Sequence, residues 1–445
     1  MPALDLVIRA ARVVTTSGQR SCCVGVLDGR IAVVEPLQTD LDAERTVDLP
    51  DDVVLIPGLV DTHVHVNEPG RTEWEGFATA TLAAAAGGVT TLVDMPLNSV
   101  PPTIDVDALE LKRRAAAGSS FVDVGFWAGA VPGNRGSFRD LHEAGVFGFK
   151  CFLVPSGVEE FPPLEANELG VFLGAIAELG ALTLVHAEDP NVIDEAPRAR
   201  GRSYQDFLQS RPAEAENLAV SRVVEAASRT GARVHIVHLS SAEAVPGILA
   251  ARQRGVSVTA ETCPHYLTFT AEEIPDGDTR FKCCPPIRDS DNREALWAAM
   301  SGGAIDAVVS DHCPCPAKLK AMDTGDFELA WGGISSLQVG LPAVWSEARR
   351  RGFGLPEVVN WMAAGPARLA GLVRKGGIRA GCDADLVAFA PDEPFVVHES
   401  SLRHRHAVTP YLDRRLTGVV RATWLRGVPV TDDIPRGRLI TRGST

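Results

Sequence analysis

The chemistry-bearing residues of this chain stand where apolar runs end. Leu59-Val60-Asp61-Thr62-His63-Val64-His65 closes a strand-like run with two histidines one residue apart. Residues i and i+2 of a strand share a face, so His63 and His65 project side by side, as two ligands of one cation must. Imidazole nitrogen suits zinc-like divalent ions. A lone histidine on an apolar face is more often a satisfied core residue, so the pair needs ligands from elsewhere. Four other runs carry them. Lys150 stands inside Gly148-Phe149-Lys150-Cys151-Phe152-Leu153, and Leu184-Val185-His186, Ile236-Val237-His238 and Val309-Ser310-Asp311 each end in a ligand-type residue. Taken singly, His186 is weak and Asp311 could cap a helix. Taken together, His63, His65, Lys150, His186, His238 and Asp311 point to a site for two metal ions. An ammonium at Lys150 is costly to bury unless paired or neutralised. It snorkels to solvent, pairs with Asp311, or reacts with carbon dioxide to become an anionic carbamate that bridges two cations. The residues alone leave these readings open.

The remaining candidates are expected to play lesser parts. His235 is at odd spacing from His238 and is expected to face away as a structural residue. His265, in Cys263-Pro264-His265-Tyr266, is expected near the site, in a supporting, structural or substrate-contacting role. His312 is expected to orient Asp311. His142, His398, His404 and His406 lie in polar surroundings and receive no role. Cys313-Pro314-Cys315 and Cys283-Cys284 lack the CxxC spacing of zinc or redox pairs and read as packed free thiols.

Eight apolar runs, at 59–64, 90–95, 122–128, 148–153, 182–186, 234–238, 256–262 and 304–309, alternate with helical candidates at 108–117, 165–179, 213–230, 242–253 and 292–300. Ser240-Ser241-Ala242-Glu243 reads as a capping box that starts one of these helices. Eight such repeats predict a (β/α)8 TIM-type barrel whose chemistry lies at the carboxyl ends of the strands. A doubly wound open sheet is the alternative, but no glycine-rich phosphate loop follows an early strand. Both termini read as short strands, among them Leu6 to Arg9, Ala11 to Val14 and the turn Asp28-Gly29-Arg30, predicting a small β-sandwich. The expected division is 1–56 and 373–445 for the sandwich and 57–372 for the barrel.

Composition narrows the functional classes. The chain has 445 residues, 45% apolar and 22% charged, within the range of an ordinary globular protein. A net charge of −14 argues against a nucleic-acid surface. No apolar stretch is long enough to span a membrane, and Asp5 interrupts any amino-terminal export signal. Nine cysteines without a framework spacing suit a reducing cytoplasm.

The motifs also carry a resemblance. Pro57-Gly58-Leu59-Val60-Asp61-Thr62-His63-Val64-His65, the stretch from Asn67 to Phe77, Glu261-Thr262-Cys263-Pro264-His265-Tyr266-Leu267, Lys282-Cys283-Cys284-Pro285-Pro286-Ile287-Arg288 and Trp331-Gly332-Gly333-Ile334-Ser335-Ser336-Leu337-Gln338 resemble the cyclic amidohydrolases of the amidohydrolase superfamily, closest to their allantoinase branch. The resemblance covers nearly the whole chain. It implies a metal-dependent hydrolase opening the ring of allantoin to allantoate, with His63, His65 and Asp311 on one metal, His186 and His238 on the other, and carboxylated Lys150 (N6-carboxylysine) bridging. It implies zinc, with cobalt, manganese or nickel as substitutes, Asp311 as the proton-transferring residue, and a homotetramer. Hydantoinases and dihydropyrimidinases, the alternative enzymes, carry a tyrosine five residues beyond the bridging lysine, where this chain has Pro155. Backbone near Cys284 and Gly332 is expected to hold the substrate ring. Asn67 stands where dihydroorotases place a carboxylate-gripping arginine, as suits a substrate with no carboxylate. A non-catalytic assembly protein of the same fold is the remaining alternative, disfavoured because all six ligand positions are filled.

Overall fold

The computed structural model describes residues 3–444. Parallel barrel strands are covered on both faces and read as near-continuous apolar runs. Eight of them form here: β1 (Leu59–Val64), β2 (Val89–Asp94), β3 (Asp123–Phe126, resuming at Ala128–Gly129), β4 (Gly148–Phe152), β5 (Leu182–His186), β6 (Arg233–Ile236), β7 (Val258–Thr262) and β8 (Ala307–Val308). Each pairs in parallel with its sequence neighbours. Trp127 interrupts β3, and its indole N–H donates to Thr62 O at 2.8 Å, tying the break to β1. A parallel bridge between Val64 and His312 closes the ring, with His65 N donating to His312 O at 2.8 Å. The barrel is a TIM-type barrel, as the eight-run pattern predicts.

The flanking helices follow their amphipathic patterns. Ala213–Thr230 forms over its whole predicted span, buries one face and ends on left-handed Gly231, a position that favours glycine. The segment expected from 165 becomes helical only at Leu169–Ala177. The predicted capping box does not form. Ser240 Oγ donates to Pro286 O at 2.6 Å, and Glu243 accepts from Asn217 Nδ2, so both members of the box are engaged elsewhere. Buried Glu216 instead accepts the N–H groups of Ser240 and Ser241. A short 3-10 turn, Ala242–Ala244, then leads into Val245–Gln253.

The two termini share one sheet that folds over its own core as a β-sandwich. Leu6–Thr15 pairs with Gly18–Leu27, and Val54–Pro57 bridges it to the carboxyl-terminal Leu386–Val396. The runs Leu6 to Arg9 and Ala11 to Val14 are a single strand, its register shifting between Ala10 and Val13. Asp28 and Gly29, both at positive φ, make the predicted hairpin turn between Leu27 and Arg30. Among the described residues, no helix is long and apolar enough to cross a membrane.

Candidate active site

The carboxyl ends of the strands gather all six ligand-type residues on one rim. His63 lies in β1 with His65 just beyond it, Lys150 in β4, and His186 ends β5, while His238 and Asp311 lie in the turns after β6 and β8. All are buried. His63 Nε2 and His65 Nε2 lie 3.1 and 3.5 Å from Asp311 Oδ1. The His238 ring centroid is 5.4 Å from that of His63 and 4.5 Å from that of His186. His186 stacks on Phe152, and Lys150 Nζ lies 4.6 Å from the same ring centroid. His238 (φ 39°) and Asp311 (φ 44°) adopt left-handed backbone that non-glycine residues rarely take. Such strain is characteristic of sites whose surroundings dictate side-chain direction.

Three carboxylates that the sequence reading passed over hold this rim from behind. Glu261 Oε1 is 2.6 Å from His63 Nδ1, and its Oε2 is 2.9 Å from His235 Nε2. His235 therefore does not face away from the site. The strand ends at Ile236, so alternation cannot be carried on to His238, and His235 reaches the site through Glu261. Glu188 takes His186 Nε2 at 2.6 Å and is gripped by Arg211 through Nε at 2.9 Å and Nη2 at 2.7 Å. Asp61 accepts the N–H groups of His63 and Ser310, joining β1 to the Asp311 turn. Asp61 and Glu261 sit inside apolar runs, as Lys150 does, and the same burial cost that singles out Lys150 applies to them.

Burial lowers His186 and His238 and brings His65 down to about 4, which leaves these rings neutral with lone pairs to donate. It works against charge on His63 too, but Asp311 and Glu261 outweigh it and raise that ring to about 9. Burial also opposes charge on Asp311, yet His63 and His65 hold it well below the usual carboxylate range. Burial brings Lys150 down to about 8.

A cavity of about 420 Å³ opens onto this rim, a size suited to a small molecule. Cys284 and Gly332 line it, as do Asn98, Pro155 and Arg211. Asn67 is not among the lining residues; its Nδ2 donates to Pro314 O at 3.2 Å. Asn98, at the mouth of β2, faces the cavity instead and places its Nδ2 3.4 Å from His65 Nδ1. The His312 ring does not orient Asp311. Its Nδ1 accepts from the backbone N–H groups of Ser336 and Leu337, and its Nε2 lies 3.5 Å from Glu75, so the residue steadies the turn through backbone. His265 is buried close to Asp311, with neither ring nitrogen hydrogen-bonded. Among the residues given no role, His404 is buried against His312 rather than set in polar surroundings. All nine cysteines are free, and Cys284 alone among them is partly exposed.

The donor set fits divalent metal. Lys150 Nζ and His238 Nδ1 are buried without a hydrogen-bond partner. Donor atoms of His63, His65 and Asp311 lie within 4.8 Å of one another, and the rings on the other side of the rim are neutral. Buried polar atoms without partners are rare, and a cation would satisfy these.

Comparison with known proteins agrees with this architecture. Residues 54–430 match the amidohydrolase family. The chain is 55% identical to an allantoinase of Streptomyces avermitilis, covering 99% of this chain and 100% of that protein. It is 45% identical to an allantoinase of Arabidopsis thaliana, over 94% of this chain and 87% of the relative. An L-hydantoinase (dihydropyrimidinase) structure from Arthrobacter aurescens superposes with a TM-score of 0.92 at 30% identity, over 99% of this chain and 100% of the other. With barrel, rim and relatives in agreement, the chain belongs to the amidohydrolase family.

Proposed function

We propose that this protein hydrolyses the ring amide of allantoin to give allantoate. The reading is carried by the convergence of four histidines, one lysine and one aspartate from five strand ends on the floor of a single cavity. Near-complete alignment with allantoinases supports allantoin as the substrate. His63, His65 and Asp311 would hold one divalent cation and His186 and His238 the other, with Lys150, as its carbamate, supplying an anionic ligand between the two sets. Lys150 suits that modification because at about 8 it supplies appreciable neutral amine near physiological pH, and its Nζ has no partner to give up. Zinc matches the donors best, and cobalt, manganese or nickel suit the same nitrogen and oxygen set.

When bound, the cations supply Lewis acidity to the amide carbonyl and lower the pKa of water toward 7. Asp311, held ionised, takes the proton from the attacking water and delivers it to the departing ring nitrogen. Glu261 and Glu188 fix the His63 and His186 rings from the side away from the cavity. The Cys284 and Gly332 peptides accept and donate to the ring amide. The catalytic unit is residues 57–372, carried on a sandwich of 1–56 and 373–445. The protein works in the cytoplasm as a homotetramer, and the free cysteines suit that compartment.

A substrate panel of allantoin, hydantoin, dihydrouracil and dihydroorotate tests the reading. Fastest turnover of allantoin is expected. Preference for hydantoin or dihydrouracil would transfer the protein to the hydantoinase and dihydropyrimidinase branch that its structural neighbour represents. Elemental analysis finding no bound metal, with no turnover, would identify a non-catalytic assembly protein.

A further inference from the structure

Two buried lysines beside the cavity are bound by backbone carbonyls. Lys320, at the end of a short 3-10 turn (Ala317–Lys320), points its Nζ at Lys282 O (3.1 Å), Trp331 O (3.0 Å) and Gly333 O. Lys282 Nζ donates to Ala330 O at 2.6 Å and Glu328 O at 3.2 Å. A neutral side chain of similar length would fill the Lys320 site at much lower desolvation cost. What the ammonium adds is charge-assisted hydrogen bonding, the strong kind, to three carbonyls at once.

The direction of those carbonyls decides what the loop presents. In a planar trans peptide the N–H points opposite to the C=O. With Trp331 O turned to Lys320, the Gly332 N–H is aimed the other way. Gly333 N donates to Lys282 O at 2.9 Å, so the Gly332 carbonyl also points away from that contact. Among the described residues, the peptide N–H and C=O of Gly332 and of Cys284 have no hydrogen-bond partner, and both residues line the cavity. The two segments are in contact there: a Cβ built on Gly332 would lie 3.3 Å from Cys284 Sγ.

We infer that Lys320 is a positioning residue for substrate binding, holding the Trp331–Gly333 and Lys282–Cys284 backbones together so that their free peptide groups face the cavity as a preformed site for a ring amide. The inference rests on the cyclic-amide reading of the cavity and names the group that builds its recognition surface. Lys320 touches neither substrate nor cation, so its effect belongs to binding rather than to the chemical step.

The test compares wild type, Lys320→Met and Lys320→Arg as metal-loaded full-length enzyme. All are assayed on whichever cyclic amide of the panel the wild type hydrolyses fastest. Lys320→Met is expected to raise KM about tenfold or more, the free-energy scale of one or two lost hydrogen bonds. Its kcat should stay within about threefold and its metal content should not change, the signature of lost uniform binding. Lys320→Arg keeps the charge, but its planar fork cannot converge on three carbonyls, so a smaller rise in KM is expected. A folded Lys320→Met enzyme with wild-type KM overturns the inference, as does a loss of kcat that tracks loss of metal. Failure of both variants to fold assigns Lys320 to folding and overturns it too. A wild type inactive on every amide sinks the cyclic-amide reading and this inference with it. An active wild type whose variants keep their KM sinks the inference alone.

Discussion

Asp311 is the residue on which proton transfer and metal binding coincide, and its position is imposed rather than intrinsic. Its left-handed backbone, the Asp61 bond to Ser310 N and the His312 bridge to Val64 aim its carboxylate at His63 and His65. Asp311→Asn keeps shape but removes the proton acceptor. Turnover is expected to fall by at least about a hundredfold, the lower end of what general acid–base catalysis contributes, with circular dichroism unchanged. A near-normal rate would remove Asp311 from that role. Glu261 acts one step further out, since one carboxylate holds both His63 and His235. Glu261→Gln should weaken metal affinity about 10- to 100-fold while leaving saturated kcat closer to wild type, as measured by competition with a chelator.

At the scale of elements, β4 and β5 show how tightly the scaffold constrains the site. Gly148 opens β4 two residues before Lys150, and a Cβ built there would lie 2.5 Å from Leu182 O and 3.1 Å from the Trp127 ring. Backbone cannot give way as a flexible side chain can, so Gly148→Ala must push the two strands apart. The expected cost is about 1–3 kcal/mol in denaturant unfolding, typical of overpacking, together with reduced activity because Lys150 and His186 move with their strands. An alanine variant of wild-type stability would show that β4 and β5 are free to adjust. The turns after β6 and β8 make the complementary point. His238 and Asp311 occupy them, where strand periodicity no longer governs direction, and the misplacement of His235 follows from extending that periodicity two residues too far.

Across the whole molecule, barrel and sandwich are joined by a buried charge cluster far from the rim. Lys375 Nζ lies 2.7 Å from Asp123 at the start of β3, 2.7 Å from Asp385 and 3.0 Å from Asp383, and Arg426 Nη1 lies 2.6 Å from Asp123. The three aspartates could be taken for a cation site, but the Lys375 ammonium already bonds to all of them. Burial raises the Asp123 carboxyl, but Lys375 and Arg426 outweigh it and hold it below the ordinary value near 4. A carboxylate depressed in the folded state contributes stability that is fully present above its unfolded pKa and lost as pH falls through the folded one. Acid unfolding should therefore steepen below about pH 4. Asp123→Asn should flatten that limb while costing about 3–5 kcal/mol at neutral pH, because it breaks a buried pair. Equilibrium unfolding followed from pH 7 to pH 3 measures both effects, and an unchanged acid limb would show that Asp123 does not carry them.

The barrel, the sandwich from both ends and the six ligand-type residues were legible in the sequence because each has a local signature. Strand runs buried on both faces are apolar throughout, and a charged or metal-ligating side chain at their ends stands out against that background. What a residue holds, when its partner is distant in sequence, left no such mark, even where burial cost flags the residue itself. Glu261 lies 198 positions from His63, Glu188 reaches across to Arg211, and Asn98 rather than Asn67 faces the cavity. The Ser240–Glu243 box yielded to Pro286 O and Asn217 because a side chain bonds to whichever partner packing brings nearest. Sequence alone determined which side chains could bind metal and roughly where the strands end. Closure of the barrel decided which carboxylates hold them, which peptide groups face the cavity and which turns aim His238 and Asp311, since those depend on contacts that exist only once distant strands are neighbours.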